Sequence, residues 1–321
     1  MKNKPIIIIN GEPNSIFLEI FFKTIKYNKF KSPLILISSL KILKLQMKKF
    51  NFKSNINLIE LKNLKKEIID NKSINLINVE YKQKKVFEKI SSKSNSFIKE
   101  SFNIALEILK EGITNKFING PISKKSFLNK NYLGITEYLT KKTNSKKTAM
   151  LIYNKNLSVC PLTTHLPLKM VSKKITKELI YEKVILINSF YKKNRGLKPN
   201  IAILGLNPHC ESVHKFNEDE RILKPAIKNL YNLGYKIYGP FPADTFFLKE
   251  NRKKFDVVVG MYHDQVLTPF KTIFEYNAIN ITLGLPFIRV SPDHGPNEKM
   301  IGKNISNPQS LIEAINFLDK N

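Results

Sequence analysis

An open, largely parallel α/β sheet is the fold class this sequence predicts, and three observations predict it. Short apolar runs recur along the chain, such as IIII near the N-terminus, PLILIS at 33–38 and VVV at 257–259. A run that is apolar at every position suits a strand covered on both faces, as in parallel sheets. Stretches with helical spacing alternate with these runs, which is the pattern of α/β folds. Several of the runs end abruptly in polar residues, and in such sheets ligands sit in the crevice outside the carboxyl ends of the strands. The chain has 321 residues, of which 42% are hydrophobic. That is more than one core usually serves, so one large or two smaller domains are expected.

Taken in order, residues 5–9 are a first strand, followed by the turn Asn10-Gly11-Glu12-Pro13. Residues 14–28 are helical because Ile16, Ile20, Phe21 and Ile25 share one face. A second strand at 33–38 and a helix at 40–49 follow, and 51–90 is rich in Lys, Asn and Ile, with a strand-like piece at 74–79. A helix over 96–110 buries Phe97, Ile98, Phe102, Ala105, Leu106 and Leu109, and Gly112 stops it. A short strand at 116–118 leads into Asn119-Gly120-Pro121. Strands at 148–153 and 157–162 come next, the latter delivering Thr163-Thr164-His165. Thr176 caps a helix reaching Asn194, with Gly196 beyond its end. The strand at 200–206 delivers Asn207-Pro208-His209, and a helix at 225–233 starts at a proline and stops at Gly234. Residues 255–271 begin as a buried strand and end in Tyr262, His263, Asp264, Gln265 and, further on, Lys271. A strand at 278–283 ends in the turn holding Arg289, and a final helix has Asn307 as cap, Pro308 at its first position and Leu311, Ile312, Ile315 and Leu318 inside.

Composition narrows the function. The net charge of +28 invites a nucleic-acid reading. The excess is lysine spread over the whole chain beside many Ile and Asn, which AT-rich codons produce without a partner, and no basic arm or finger motif is present. Two cysteines, Cys160 and Cys210, exclude a disulfide framework and point to a reducing compartment. The N-terminal apolar run is too short for a signal core, and no segment has the length of a membrane span. A cytoplasmic protein, without nucleic-acid or membrane partners, is expected.

Of five histidines, His165, His209 and His263 each stand a few residues past the end of an apolar strand. If those strands are neighbours in one sheet, or face each other across a dimer, the imidazoles converge. Three imidazoles with an open position suit a catalytic divalent metal such as zinc, and also cobalt or nickel. Any one of them alone is more simply a satisfied, partly buried histidine, but three in the same topological place favour the metal. Asp264 is either a partner that orients an imidazole or an acid/base group. His294, in a turn-rich segment, is a candidate for a cofactor cleft. Lys271, Asn280 and Arg289 suit an anionic, oxygen-rich substrate. Neither G-x-G-x-x-G nor G-x-x-x-x-G-K-[ST] occurs. The residues alone lead to a metal-dependent enzyme acting on an anionic small molecule, with hydrolysis, lyase chemistry and oxidation all open.

The strings TTHLPL, GLNPH, GPFPADTFF, MYHDQ and NITLGLPFIR, in this order, resemble the 4-hydroxythreonine-4-phosphate dehydrogenase family of pyridoxal phosphate biosynthesis. The likeness is good from Gly120 to Gly302 and weak over the first hundred residues. It implies two α/β/α domains with a cleft between them, of the isocitrate and isopropylmalate dehydrogenase type. The first domain is expected at 1–130 plus 290–321 and the second at 131–289, the latter with the metal site and the interface of a homodimer. It implies His165, His209 and His263 as ligands of a divalent metal (Zn, Mg or Co) in a site shared between subunits. It implies Thr136, Lys271, Asn280 and Arg289 as substrate residues, Asp264 and Lys271 in catalysis, and NAD or NADP as cofactor. The implied reaction oxidises 4-phosphooxy-L-threonine, and the 3-keto acid loses carbon dioxide to give 3-amino-2-oxopropyl phosphate.

Three departures stand out. Where the family has Gly-His-Thr-Glu, this chain has Gly134-Ile135-Thr136-Glu137. Glycines expected after the Gly11-Glu12-Pro13 turn are Ser15 and Phe17, and Asp-His-Gly-Thr-Ala is Asp293-His294-Gly295-Pro296-Asn297. The alternatives are a dehydrogenase for another phosphorylated hydroxy acid and a non-catalytic metal- or nucleotide-binding relative.

Overall fold

In the computed structural model the apolar runs become strands with almost nothing left exposed. The structure describes residues 3–320 apart from 66, 68, 129–131, 133, 212–215 and 293–294. In chain order come β1 (Ile6–Ile9), α1 (Phe17–Tyr27), β2 (Leu34–Ser38), α2 (Leu40–Lys49), β3 (Ile56–Leu58), β4 (Ile74–Asn78), α3 (Asn95–Lys110) and β5 (Lys116–Asn119). Next are α4 (Ile135–Lys142), β6 (Ala149–Tyr153), β7 (Ser158–Thr163), α5 (Lys177–Arg195), β8 (Ile201–Leu204), α6 (Lys224–Asn232) and β9 (Ile237–Phe241). The chain closes with α7 (Ala243–Phe246), α8 (Lys249–Arg252), β10 (Val257–Tyr262), α9 (His263–Phe274), β11 (Ile279–Leu283), β12 (Ile288–Pro292) and α10 (Gln309–Lys320).

Two compact units emerge. The first comprises Met1–Leu139 and Pro286–Asn321, the second Thr140–Leu285. In the first unit the strands lie in the order β3-β4-β2-β1-β5-β12, and all five pairings are parallel. The four isoleucines of β1 are fully buried, with α3 and α10 packed against the strand. Each such side chain stabilises the fold by roughly 2 kcal/mol relative to exposure. The C-terminal segment is stitched to α1 by Lys23, whose Nζ donates to Glu19 and to the carbonyls of Asn304 and Ser306, while Ser306 N donates to Glu19 Oε1 at 2.7 Å.

In the second unit the order is β11-β6-β7-β10-β8-β9. β6 runs antiparallel to both its neighbours, and β7, β10, β8 and β9 are parallel. Val159, Ala202, Leu204, Val258, Val266 and Phe270 form one buried cluster beside this parallel part. Thr176 caps α5 as its position predicts, its Oγ1 accepting from Leu179 N at 3.2 Å. Asn307 Oδ1 likewise accepts from Gln309 N at the start of α10.

Four elements differ from the sequence reading. β3 is a short, partly exposed strand whose polar alternation hid it in the Lys/Asn/Ile-rich stretch. β9 carries Gly239 and Pro240 and is paired only along β8, so its composition reads as a turn. His263 does not stand in a loop: it opens α9, a helix with Pro269 inside it. Arg289 is not in a turn but on a separate strand, β12, in register with Phe117 of β5. Among the described residues no helix is long and apolar enough to cross a membrane.

Candidate active site

β7, β10 and β8 are adjacent and parallel, with Val259 in register with both Cys160 and Ile203. Their carboxyl ends therefore lie side by side, and each is followed by one of the candidate histidines. His263 comes directly after β10, His165 two residues after β7, and His209 five residues after β8. His165 and His263 come together, with ring centroids 5.8 Å apart and planes tilted by 34°. His209 is exposed on its own turn. Among the described residues no three His, Cys, Asp or Glu side chains are grouped closely enough to hold a metal ion.

Two of these histidines sit in strained backbone. His165 has φ 52° and His209 φ 57°, with Cys210 following at φ 61°. Left-handed backbone is uncommon outside glycine, with Asn, Asp and His the residues that adopt it most, and costs on the order of 1–3 kcal/mol. Neither ring repays that by burial, since both residues are exposed.

The third imidazole is oriented by its neighbour. His263 Nδ1 lies 2.6 Å from Asp264 Oδ1. An ionised carboxylate only accepts, so Nδ1 donates to it, and in the neutral ring Nε2 then keeps its lone pair. This is the pairing that commonly fixes a metal-binding histidine. Asp264 is itself largely solvent-exposed, at 79% of its side chain. Two neighbouring imidazoles, one of them bonded to a carboxylate, are donors of the kind a divalent cation takes, and His209 follows the strand adjacent to β10.

The substrate candidates are distributed over both units. Lys271 lies on α9, half-buried, and burial holds its ammonium below the ordinary lysine range. Asn280 lies on β11, and its Oδ1 is buried with no hydrogen-bond partner among the described residues. A buried, unsatisfied acceptor is costly, and a ligand donor would relieve it. Thr136 and Arg289 belong to the first unit, Thr136 on the first turn of α4. Arg289 is 4% exposed, and its Nε donates to Asn119 Oδ1 at 2.7 Å. Burial pushes the guanidinium down to about 10, with Glu137 opposing the shift, so it remains cationic at neutral pH. His294, the cofactor candidate, lies outside the described residues, as does His214.

Some supporting residues escaped the sequence reading. Asn119 was visible only as part of a turn. Gln265 lies inside the MYHDQ string, beside His263 and Asp264, with no pattern of its own to mark it. Asp219 is fully buried and accepts from Leu206 N at 2.8 Å and from Asn207 N at 3.1 Å. Nothing in the local sequence marks it.

Comparison with known proteins follows the same lines. Residues 29–318 match the family model described as pyridoxal phosphate biosynthetic protein PdxA. A 4-hydroxythreonine-4-phosphate dehydrogenase from Sulfurihydrogenibium sp. (strain YO3AOP1) is 39% identical over 316 residues, covering 97% of this chain and 96% of that protein. A D-threonate 4-phosphate dehydrogenase from Salmonella typhimurium (strain LT2) is 32% identical over 302 residues, covering 92% of each chain. The crystal structure of 4-hydroxythreonine-4-phosphate dehydrogenase from Klebsiella pneumoniae superposes with a TM-score of 0.85 at 26% identity, covering 98% of both chains. With residues 29–318 matching the family model and nearly its whole length shared with a relative 39% identical, the chain belongs to the family of pyridoxal phosphate biosynthetic protein PdxA.

Proposed function

We propose that the protein is a 4-hydroxythreonine-4-phosphate dehydrogenase, oxidising 4-phosphooxy-L-threonine with NAD or NADP and releasing carbon dioxide to give 3-amino-2-oxopropyl phosphate. The observation that carries this reading is the alignment of His165, His209 and His263 behind three adjacent parallel strands, with the His165 and His263 ring centroids 5.8 Å apart. These three side chains are assigned to a divalent cation, Zn, Mg or Co. A site shared between the subunits of a homodimer, as the resemblance implies, would complete the ligand set that one chain leaves open. When bound, the cation supplies positive charge where the substrate oxygen loses its proton and where enolate charge develops after decarboxylation. NAD or NADP, when bound, would supply the hydride acceptor.

This chain's residues do the rest. Asp264 holds His263 in the Nδ1–H tautomer and so keeps Nε2 directed to the ligand position. Arg289 and Thr136 bind anionic and hydroxyl groups of the substrate, the guanidinium being aimed by Asn119. Asn280 offers its unsatisfied Oδ1 to a donor such as the substrate ammonium. Lys271 Nζ, depressed by burial, is suited both to pairing with phosphate or carboxylate and to passing a proton between the hydroxyl and the carbon left by decarboxylation. The chemistry balances: hydride leaves C3, the hydroxyl proton leaves with it, and the resulting β-keto acid releases carbon dioxide and takes up one proton.

A second reading, oxidation of a phosphorylated hydroxy acid lacking the amino group, is favoured by the similarity to the D-threonate 4-phosphate dehydrogenase. Ile135, apolar beside Thr136, fits it as well. The deciding measurement is NADH formation with each substrate, with and without chelator. Chelator-sensitive turnover of 4-phosphooxy-L-threonine supports the first reading. Turnover of D-threonate 4-phosphate alone moves the assignment to the second, and no turnover of either sinks both.

A further inference from the structure

β8 and β10 part company before β10 ends. Their ladder runs Val257–Ile201, Val258–Ala202 and Val259–Ile203, whereas β10 continues to Tyr262 and β8 stops at Leu204. At the gap sits the side chain of Gln265, on the first turn of α9. Its Oε1 accepts from Met261 N at 2.7 Å, and its Nε2 donates to the Gly205 carbonyl at 2.8 Å. A carboxamide has the donor and acceptor of a peptide group in one plane, so Gln265 supplies the missing rung between two diverging strands.

The rung belongs to a longer line of bonds. On the other side of β10, Thr163 Oγ1 donates to Met261 O at 2.7 Å, tying the end of β7 to the same residue. Beyond Gly205, the buried Asp219 carboxylate accepts from Leu206 N, Asn207 N and Asn207 Nδ2 at 2.8, 3.1 and 2.8 Å. One line, Thr163 to Met261 to Gln265 to Gly205, with Asp219 beyond it, thus spans all three strand ends that carry histidines. Two glycines make room for it. A Cβ on Gly260 would lie 3.0 Å from Gln265 Oε1 and 2.4 Å from Val266 Cγ1, and one on Gly205 would lie 2.9 Å from Asp219 Oδ1. Neither approach tolerates a larger residue.

We propose that Gln265 is a positioning residue for the metal site: it fixes the spacing of the β8 and β10 ends and thereby the placement of His209 relative to His263. The proposal rests on the metal reading above. It assigns Gln265 no contact with substrate or cation. A metal ligand set must be held to within fractions of an ångström, and residues that orient ligands typically change affinity 10–100-fold when removed. The left-handed turns at His165 and His209 need such restraint, because strained backbone persists only when its surroundings over-determine it.

The test is titration of the chelator-treated protein with Co²⁺, following affinity by calorimetry and ligand geometry by the visible absorption of the bound ion. Gln265→Leu removes both bonds. Gln265→Glu keeps the acceptor for Met261 N but sets a carboxylate oxygen against the Gly205 carbonyl. Val184→Ala, a cavity in the buried face of α5, serves as a stability control outside the line of bonds. Both Gln265 variants are expected to bind Co²⁺ about 10–100-fold more weakly with an altered spectrum, while Val184→Ala binds as the unaltered protein does. Equal affinity and spectrum in the Gln265 variants and the control overturn the proposal. So does failure of both Gln265 variants to fold, which would make the residue a requirement of the fold. If the unaltered protein binds no Co²⁺, or His263→Ala binds it equally well, the metal reading itself fails and the proposal falls with it.

Discussion

The carboxyl ends of the strands are built differently in the two units. Around β1 and β5 the polar residues are sealed in: Asn10, Glu12 and Asn119 are at most 3% exposed. Glu12 and Asn119 bond internally, Glu12 accepting from Asn14 N at 3.2 Å and from Ser94 Oγ at 2.8 Å and Asn119 accepting from Arg289, while Asn10 Nδ2 is buried with no hydrogen-bond partner among the described residues. Behind β7 and β8 the histidines are exposed, and their backbone is left-handed. Desolvated polar groups that bond one another hold shape, and removing one leaves its partner unsatisfied. Exposed groups on strained turns contribute little to stability. The same strand-end position is thus a bonded joint in one unit and, on the reading proposed above, a reactive edge in the other.

Breaking the reactive edge should cost function and spare stability. His263→Ala is expected to lower NADH formation on the order of 10³-fold or more, the loss of several kcal/mol of charge stabilisation. Its urea midpoint should match that of the unaltered protein. A parallel fall in both quantities would mean that the histidine is a structural part. Asp264→Asn retains size but lets the imidazole change tautomer. Metal affinity measured by competition with a chromophoric chelator should fall about 10–100-fold, again without change in the midpoint.

Breaking the structural joint should do the reverse in part. Arg289→Met leaves the Asn119 Oδ1 acceptor unpaired in a buried place, a cost of about 1–3 kcal/mol. The urea midpoint should drop, and KM for the phosphorylated substrate should rise together with it. Arg289→Met with an unchanged midpoint would show that Asn119 is satisfied elsewhere.

The smallest effect is a matter of pH. Burial raises the Glu12 carboxyl above the ordinary range, against the hydrogen bonds from Ser94 and Asn14, with Glu298 adding to the rise. A folded value above the unfolded one favours the protonated form. Its contribution to stability is full below the unfolded pKa and is lost as pH rises through the folded value. Unfolding titrations between about pH 4 and pH 8 should therefore show a decline that Glu12→Gln flattens. An unchanged slope in that variant would assign the pH dependence to other groups.

Much of the first unit was legible from local pattern. β1, β2 and α2 were readable because fully apolar runs and helical spacing leave few other readings. The caps at Thr176 and Asn307 were readable because a side-chain oxygen followed by a helical pattern has one obvious use. β3, β9 and β12 were not, since each is short and takes its strand character from its neighbours rather than from its own residues. For the site, strand ends plus histidines identified His165, His209 and His263.

By itself the sequence determined the class of fold and the family and singled out three strand-end histidines as candidates, because these depend on residue type and spacing along the chain. The tertiary structure alone decided that β10 lies between β7 and β8, and hence which histidines face one another. It also decided that Arg289 is a buried strand residue bonded to Asn119, and that Gln265 and Asp219 hold the turns in place. These are relations between residues 13 to 170 positions apart. Only the folded sheet brings such residues together, and no local pattern encodes which pairs will meet.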